Sequence, residues 1–374
     1  MSREINKIKG LVSEATWTLL QNCNAVIAGG ALTSVFCNRE VKDIDVYFRN
    51  EEDFLGFLEE VFAGGYVLRL TNYTQRSLLF VDGETGQDVQ VIIYKWFPTV
   101  ESIFKDFDYT INMGAIICCP LPAGDQLVLD SEFLKHNAQR YLQFNTGTAY
   151  PLISALRVNK YVDRGYTISK PQYLRLMMTI SQLNLTNWEE VKDHVGGMYG
   201  WDLNDLFPES EPFSLDKAIE ILDGLEPDTK IWKQKPTDLT SVMVHLFGTG
   251  DEDISDRYFK WVRQNEDGTL ASFYAPDFKY VVGKTVNGRN SGIYFKTGYD
   301  VLNTTYSDKK DGVLLELRGT PKEQKDWYKD ITLQGDVEVV AKYTKVEFLR
   351  KFKKPNEEKK SDPLKAISTF PKLF

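Results

Sequence analysis

Short apolar runs and helix-period stripes alternate along the first third of the chain. Ile5, Ile8, Leu11 and Leu19 are spaced for a helix over residues 4–23. Asn24 to Ala28 then reads as a strand that stops at Gly29-Gly30, and Ala31 to Asn38 as a short helix. A second strand follows with Asp43, Ile44, Asp45 and Val46. Phe54, Leu55, Leu58, Val61 and Phe62 fall on one helical face, closed by Gly64-Gly65. YVLRLT and RSLLFV read as strands, and the Asp82-Gly83-Glu84-Thr85-Gly86 turn leads into a further strand, DVQVIIY. Residues 101–112 read as the start of a helix, and GAIICC at 114–119 is an apolar run that ends before Pro120.

From about residue 130 to 245 the pattern turns helical. Thr186-Asn187-Trp188-Glu189 matches a capping box whose helix is closed by Gly196-Gly197, and Ser214 to Asp223 is an amphipathic stretch stopped by Gly224. Residues 234–251 are turn-rich. Residues 272–344 carry β-type runs separated by Gly and Asp: FKYVVGKTV, GIYFKTG, VLLELRG and DVEVVAKY. The order predicts an α+β fold. It divides into a catalytic-size domain at 1–125, a helical domain at 126–248, a β-rich module at 249–344 and a tail at 345–374.

Composition changes this picture little. The 374 residues suffice for two or three domains, and 42% hydrophobic with 26% charged residues is ordinary for a globular protein. The net charge of −8 argues against a general nucleic-acid coat. Residues 345–374 hold nine basic and four acidic residues, a net of +5, which leaves −13 on the rest. A solvated basic tail is the expectation there, with a polyanion contact as the alternative. Cys23, Cys37, Cys118 and Cys119 form neither a CxxC pair nor a zinc spacing, so a reducing, cytoplasmic setting is expected. The N-terminus lacks a signal-peptide core, and no apolar run reaches the length of a membrane span.

The chemistry concentrates at Val26 to Phe48. Side chains two apart on a strand share a face, so Asp43 and Asp45 form a carboxylate pair with Ile44 and Val46 behind them. Two close carboxylates repel unless a cation neutralises them, and hard oxygen ligands suit Mg²⁺ or Mn²⁺. Gly29 and Gly30 stand at a strand-to-helix turn, where backbone can approach an anionic ligand closely. His136, His194 and His245 have no metal spacing, and Trp96 and the many tyrosines read first as packing.

Gly29-Gly30, twelve further residues and Asp43-Ile44-Asp45-Val46 together resemble the signature of the polymerase-β-like nucleotidyltransferase superfamily. Asp108-Tyr109-Thr110-Ile111-Asn112 resembles the RRDFTIN element of its transfer-RNA CCA-adding and bacterial poly(A) polymerase branch. Leu156 to Tyr166 is similar to that branch's LRxxRFxxxxGF helix, and places Arg157, Lys160 and Arg164 on one helical face. The matches cover roughly residues 25–166. The branch's arginines are absent at Thr33, Asp106 and Phe107, Ser34 replaces its acid, and no EDxxR lies in the helical middle, so CCA addition itself is not expected.

The resemblance implies a nucleotidyltransferase-type mixed sheet with flanking helices. It also implies Mg²⁺-dependent transfer of a nucleoside monophosphate from a nucleoside triphosphate to a hydroxyl, with release of pyrophosphate. Asp43 and Asp45 would hold metal. Gly29, Gly30, Asp108, Asn112, Arg157 and Lys160 would line the nucleotide or acceptor site. For a third carboxylate the later strand DVQVIIY offers Asp88, which also serves to end the turn, and the more central Gln90, which is neutral. The acceptor implied is an RNA or transfer-RNA 3′ end, with a protein hydroxyl next. The competing expectation is a nucleotidyltransferase-fold binding protein that has lost its chemistry. A compact chain with unassigned modules also fits a phage or mobile-element protein.

Overall fold

The computed structural model describes residues 2–62, 67–74, 76–195, 212–223, 239–254, 257–288, 292–304, 306, 309, 311–323 and 331–352. Gly64-Gly65, Gly196-Gly197, Gly224, residues 234–238 and the tail from 353 lie outside these. The chain divides into two compact units, 1–54 with 67–238 and 55–66 with 239–374.

The first unit opens with two helices, α1 (Ser2–Lys9) and α2 (Glu14–Asn22), rather than one. Gly10 interrupts the stripe, and the Ser13 hydroxyl accepts from the Thr16 N–H to start α2. Then come β1 (Val26–Ala28), α3 (Gly30–Phe36), β2 (Asp43–Tyr47), α4 (Glu51–Phe62, whose residues from Leu55 on belong to the second unit), β3 (Leu68–Tyr73), β4 (Ser77–Asp82) and β5 (Asp88–Ile92). They are followed by α5 (Val100–Asp106), β6 (Gly114–Ile117) and β7 (Gln126–Leu129). One mixed sheet results, ordered β3-β4-β5-β2-β1-β6-β7, in which only the β2–β5 pair is parallel. The expected helix through 101–112 ends at Asp106, and Thr110–Asn112 is a separate 3-10 turn. Ile44, Val46, Val89 and Val91 are buried on one face of the sheet. On the other face Phe97, Val100, Ile103 and Phe104 pack over Val26, Ala28, Tyr47 and Ala115.

The helical stretch comprises α6 (Phe133–Gln139), α7 (Pro151–Val162), α8 (Lys170–Ile180), α9 (Trp188–Val195), α10 (Leu215–Asp223) and α11 (Leu239–Phe247). A small parallel pair, β8 (Tyr141–Leu142) with β9 (Thr167–Ile168), lies among them. The cap of α9 is set one residue later than the expected capping box, at Asn187. Asn187 Oδ1 accepts from the Glu190 N–H at 2.9 Å, and the Glu190 carboxylate accepts from the Thr186 N–H at 2.6 Å.

The second unit contains an antiparallel sheet of β10 (Tyr258–Gln264), β11 (Leu270–Ala271), β12 (Lys279–Tyr280), β13 (Thr285–Asn287), β14 (Ile293–Tyr294), β15 (Lys296–Thr297), β16 (Gly312–Glu323) and β17 (Ile331–Tyr343). Strand β10 precedes the expected start of the β-rich region at 272. The tail expectation also needs correction. Lys345–Lys351 forms α12, its Thr344/Glu347 capping box intact and Val346, Phe348 and Leu349 buried. Those three apolar positions anchor what the charge count alone reads as solvated.

Candidate nucleotide-binding site

Asp43 and Asp45 share one face of β2, Asp43 exposed and Asp45 half-buried, while Ile44 and Val46 are fully buried behind them. The turn after β1 comes up beside Asp45. Gly29 has φ +94°, and a Cβ there would lie 3.6 Å from Asp45 Oδ2 and 3.4 Å from the Phe107 ring. Only glycine takes this backbone without strain, and its missing side chain lets the acid and the ring close in. Gly30 differs: a Cβ there would meet nothing within 4 Å. Space is therefore open directly above the second glycine.

Strand register places the two candidates for a third ligand. Asp43 pairs with Asp88 and Asp45 with Gln90 across the parallel β2–β5 pair. The deeper position, next to Asp45, thus carries an amide, and Asp88 stands beside the exposed Asp43 at the strand start. Among the described residues no three His, Cys, Asp or Glu side chains gather into a metal site.

Asp108 and Asn112 are brought together, but inside the protein. They are 4% and 3% exposed, which leaves little surface for a ligand. Asn112 Nδ2 donates to Asp108 Oδ1 at 3.2 Å and to the Tyr161 hydroxyl at 2.7 Å. Arg157 Nη1 donates to Asp108 Oδ2 at 2.8 Å, and Nη2 donates to the Tyr161 hydroxyl. Burial, the largest influence, pushes the Tyr161 hydroxyl up to about 12, so it stays protonated. This network ties the 3-10 turn to α7. Tyr161, central to it, has no assigned role in the sequence reading; its place in the apolar stripe of α7 conceals its hydroxyl.

The expected shared face of Arg157, Lys160 and Arg164 is only partly formed, because α7 ends at Val162 and Arg164 lies in the following turn. Lys160 keeps solvent access, but surrounding protein pushes its ammonium below the usual lysine value, with Arg157 and Arg164 adding to the shift. Asp43 and Asp45 oppose that shift, which puts this cation in the field of the acid pair. At the positions of the absent family residues, Thr33 donates to the Ile111 carbonyl at 2.7 Å and Asp106 pairs with Lys95 at 2.6 Å. Both are absorbed by structure. His136 follows suit: it is 2% exposed and bonded to Thr110, and burial, outweighing Glu132, lowers its basicity.

The first unit thus has an α+β fold in which a glycine turn stands beside a strand-borne acid pair. Similar solved structures include an apo tRNA-processing enzyme, at 15% identity and TM-score 0.36, covering 46% of this chain and 48% of that one. Another is the Thermotoga maritima CCA-adding enzyme complexed with tRNA, at 14% identity and TM-score 0.34, covering 46% and 43%. A tRNA-processing enzyme with CTP matches at 17% identity and TM-score 0.32, covering 42% and 43%. The chain spans under half the length of each. The model of the Gabija anti-defense 2 family (Gad2) matches residues 2–140. "Gabija anti-defense 2" of Bacillus phage SPbetaL7 is 33% identical over 369 residues, covering 86% of this chain and 90% of that protein. This chain belongs to the Gabija anti-defense 2 family.

Proposed function

We propose that this chain is a nucleotidyltransferase that acts against the bacterial defence its family is named for. It moves a nucleoside monophosphate from a nucleoside triphosphate onto a hydroxyl of an RNA or a protein of that defence. The observation that carries the reading is the single face on which Asp43, Asp45 and the Gly29-Gly30 turn, open at Gly30, meet, with Lys160 in their field.

Two hard carboxylates with one side open to solvent fit Mg²⁺ or Mn²⁺. Mg²⁺ usually takes one or two carboxylates and completes its shell with water and substrate phosphates. Such an ion would offset triphosphate charge and stabilise the departing pyrophosphate. The chain's own residues do the rest. Gly30 leaves room for the triphosphate, Gly29, its N–H bonded to the Gly114 carbonyl, sets the turn beside Asp45, and Lys160 supplies a positive charge for the phosphate oxygens. Asp108, Asn112 and Arg157 act here as positioning residues, holding the α7 helix that carries Lys160. The hydroxyl oxygen attacks the α-phosphorus, the bond to pyrophosphate breaks, and the hydroxyl proton leaves to water. The phage-encoded relative supports a setting in the host cytoplasm.

A second reading, nucleotide binding without transfer, is favoured by Gln90 beside Asp45, where a third carboxylate would otherwise serve. Purified protein is incubated with α-labelled triphosphates, Mg²⁺ and a lysate of defence-carrying cells. Label is expected in RNA or protein, and none with Asp43→Ala/Asp45→Ala protein that keeps its circular dichroism. Label retained by the double variant removes the acids from the mechanism. Metal-dependent binding with no pyrophosphate release for any triphosphate selects the second reading.

A further inference from the structure

The second unit has a cavity of its own, about 1360 Å³, lined by none of the residues assigned above. Ten of its lining residues are aromatic, among them Tyr258, Trp261, Phe273, Tyr274, Tyr294 and Tyr306. Aromatic residues make up 13% of the chain, so these walls are strongly enriched. Aliphatic lining is sparse, with Ile293, Val301 and Ile331 the branched examples. A lipid tail would want the opposite.

Two cations line this aromatic surround, Lys260 on β10 and the exposed Lys296 on β15. On β10, Tyr258, Lys260 and Val262 share a face. Val262 is fully buried, as is Leu315, the cross-strand partner of Lys260. The strand pattern therefore calls for an apolar residue at 260. The lysine instead spends one of its three donors on the Tyr294 carbonyl, at 3.2 Å. Among the described residues no carboxylate forms an ion pair with it, and Asp300 is the acid of the lining. Burial alone pushes the Lys260 ammonium down to about 8, with no neighbouring charge offsetting it. A half-buried ammonium with no carboxylate partner costs stability, and beside an open cavity it offers a contact for an anion.

The exposed aromatic wall says what kind of anion fits. Tyr274 is 77% and Tyr294 47% exposed. Phe273 and Tyr306 already stack at 4.9 Å, and Tyr274 meets Tyr306 edge-on at 5.4 Å. Flat rings stack on such platforms, and the tyrosine hydroxyls, Ser272 and Thr304 at the cavity wall can hydrogen-bond ring edges. The volume exceeds the roughly 300–1,000 Å³ of a usual small-molecule pocket, leaving room for more than one such unit. We propose that this cavity binds nucleotide units, with bases stacked on its aromatic walls and a phosphate on Lys260. The assignment does not depend on the acid pair of the first unit.

Both sources of that chemistry, free nucleotide and single-stranded nucleic acid, can be separated. The full chain carrying Asp43→Ala/Asp45→Ala, in EDTA, is titrated with AMP or UMP, with short labelled oligoadenylate or oligouridylate, and with an oligoglutamate peptide. Binding of an oligonucleotide is expected, weakened roughly tenfold by Lys260→Met and by Tyr274→Ala. Mononucleotide binding of comparable strength assigns free nucleotide as the ligand, and oligonucleotide binding alone assigns single-stranded nucleic acid. Tyr274 is exposed, so its variant reports on the site without disturbing the core. Absence of nucleotide binding, affinity unchanged in both variants, or equal binding of the peptide overturns the proposal.

Discussion

Gly29 and Gly30 look alike in the sequence and differ in the structure. Gly29 sits at φ +94° against Phe107 and Asp45, whereas Gly30 faces open space. Gly29→Ala is expected to destabilise the protein by about 1–3 kcal/mol through backbone strain. Gly30→Ala should leave stability within about 0.5 kcal/mol and still weaken triphosphate binding. Urea unfolding and nucleotide titration on the same two variants separate the effects; equal binding by Gly30→Ala and the native protein would show that no ligand approaches there. Lys260 makes the reverse point, a residue kept at a cost to stability. Its ammonium is harder to keep charged in the folded protein than in the unfolded chain. Between about 8 and the unfolded lysine value the unfolded chain binds more protons, so stability rises with pH across that window. Lys260→Met should gain about 1–2 kcal/mol at pH 7 and lose that rise. The check is denaturant unfolding from pH 7 to 10.

At the scale of elements, two pairings set the site. The first is β2 against β5, which puts Gln90 next to Asp45. Gln90→Glu would place a third carboxylate there and is expected to tighten Mn²⁺ binding roughly tenfold, as seen by titration of the paramagnetic ion. The second is the 3-10 turn against α7. Arg157→Ala would leave Asp108 buried without its cation, an expected loss of about 3 kcal/mol in thermal or urea unfolding. If that variant unfolds like the native protein but binds triphosphate poorly, Arg157 contacts the ligand instead of positioning α7. The strands and helices around Asp43 were legible in the sequence because alternation, glycine turns and helical stripes are local signals. The burial of Asp108 and Asn112 was not, because their partners Arg157 and Tyr161 lie some forty-nine residues on. Strand β10 escaped because Lys260 and Arg263 interrupt its apolar pattern. Helix α12 was hidden by the charge of the residues around Val346, Phe348 and Leu349.

Over the whole molecule, the sequence reading divides the chain into consecutive blocks, whereas compactness groups residues 55–66 with 239–374. Within that second unit the Thr344 hydroxyl donates to Glu59 at 2.7 Å, and Lys345 lies 4.7 Å from the centre of the Phe62 ring. Burial, the largest influence, raises Glu59 above the ordinary carboxylate range despite the Thr344 bond. No helix among the described residues is long and apolar enough to cross a membrane. The interleaved division has a consequence for biosynthesis. On the ribosome the first unit has all its residues once Asp238 has emerged, while Glu59 and Phe62 must wait for Thr344 and Lys345. At about 5–20 residues per second that wait lasts roughly 15–60 s. During it, part of a helix made early stays without its native cover, an opening for chaperones or proteases that the finished protein no longer offers.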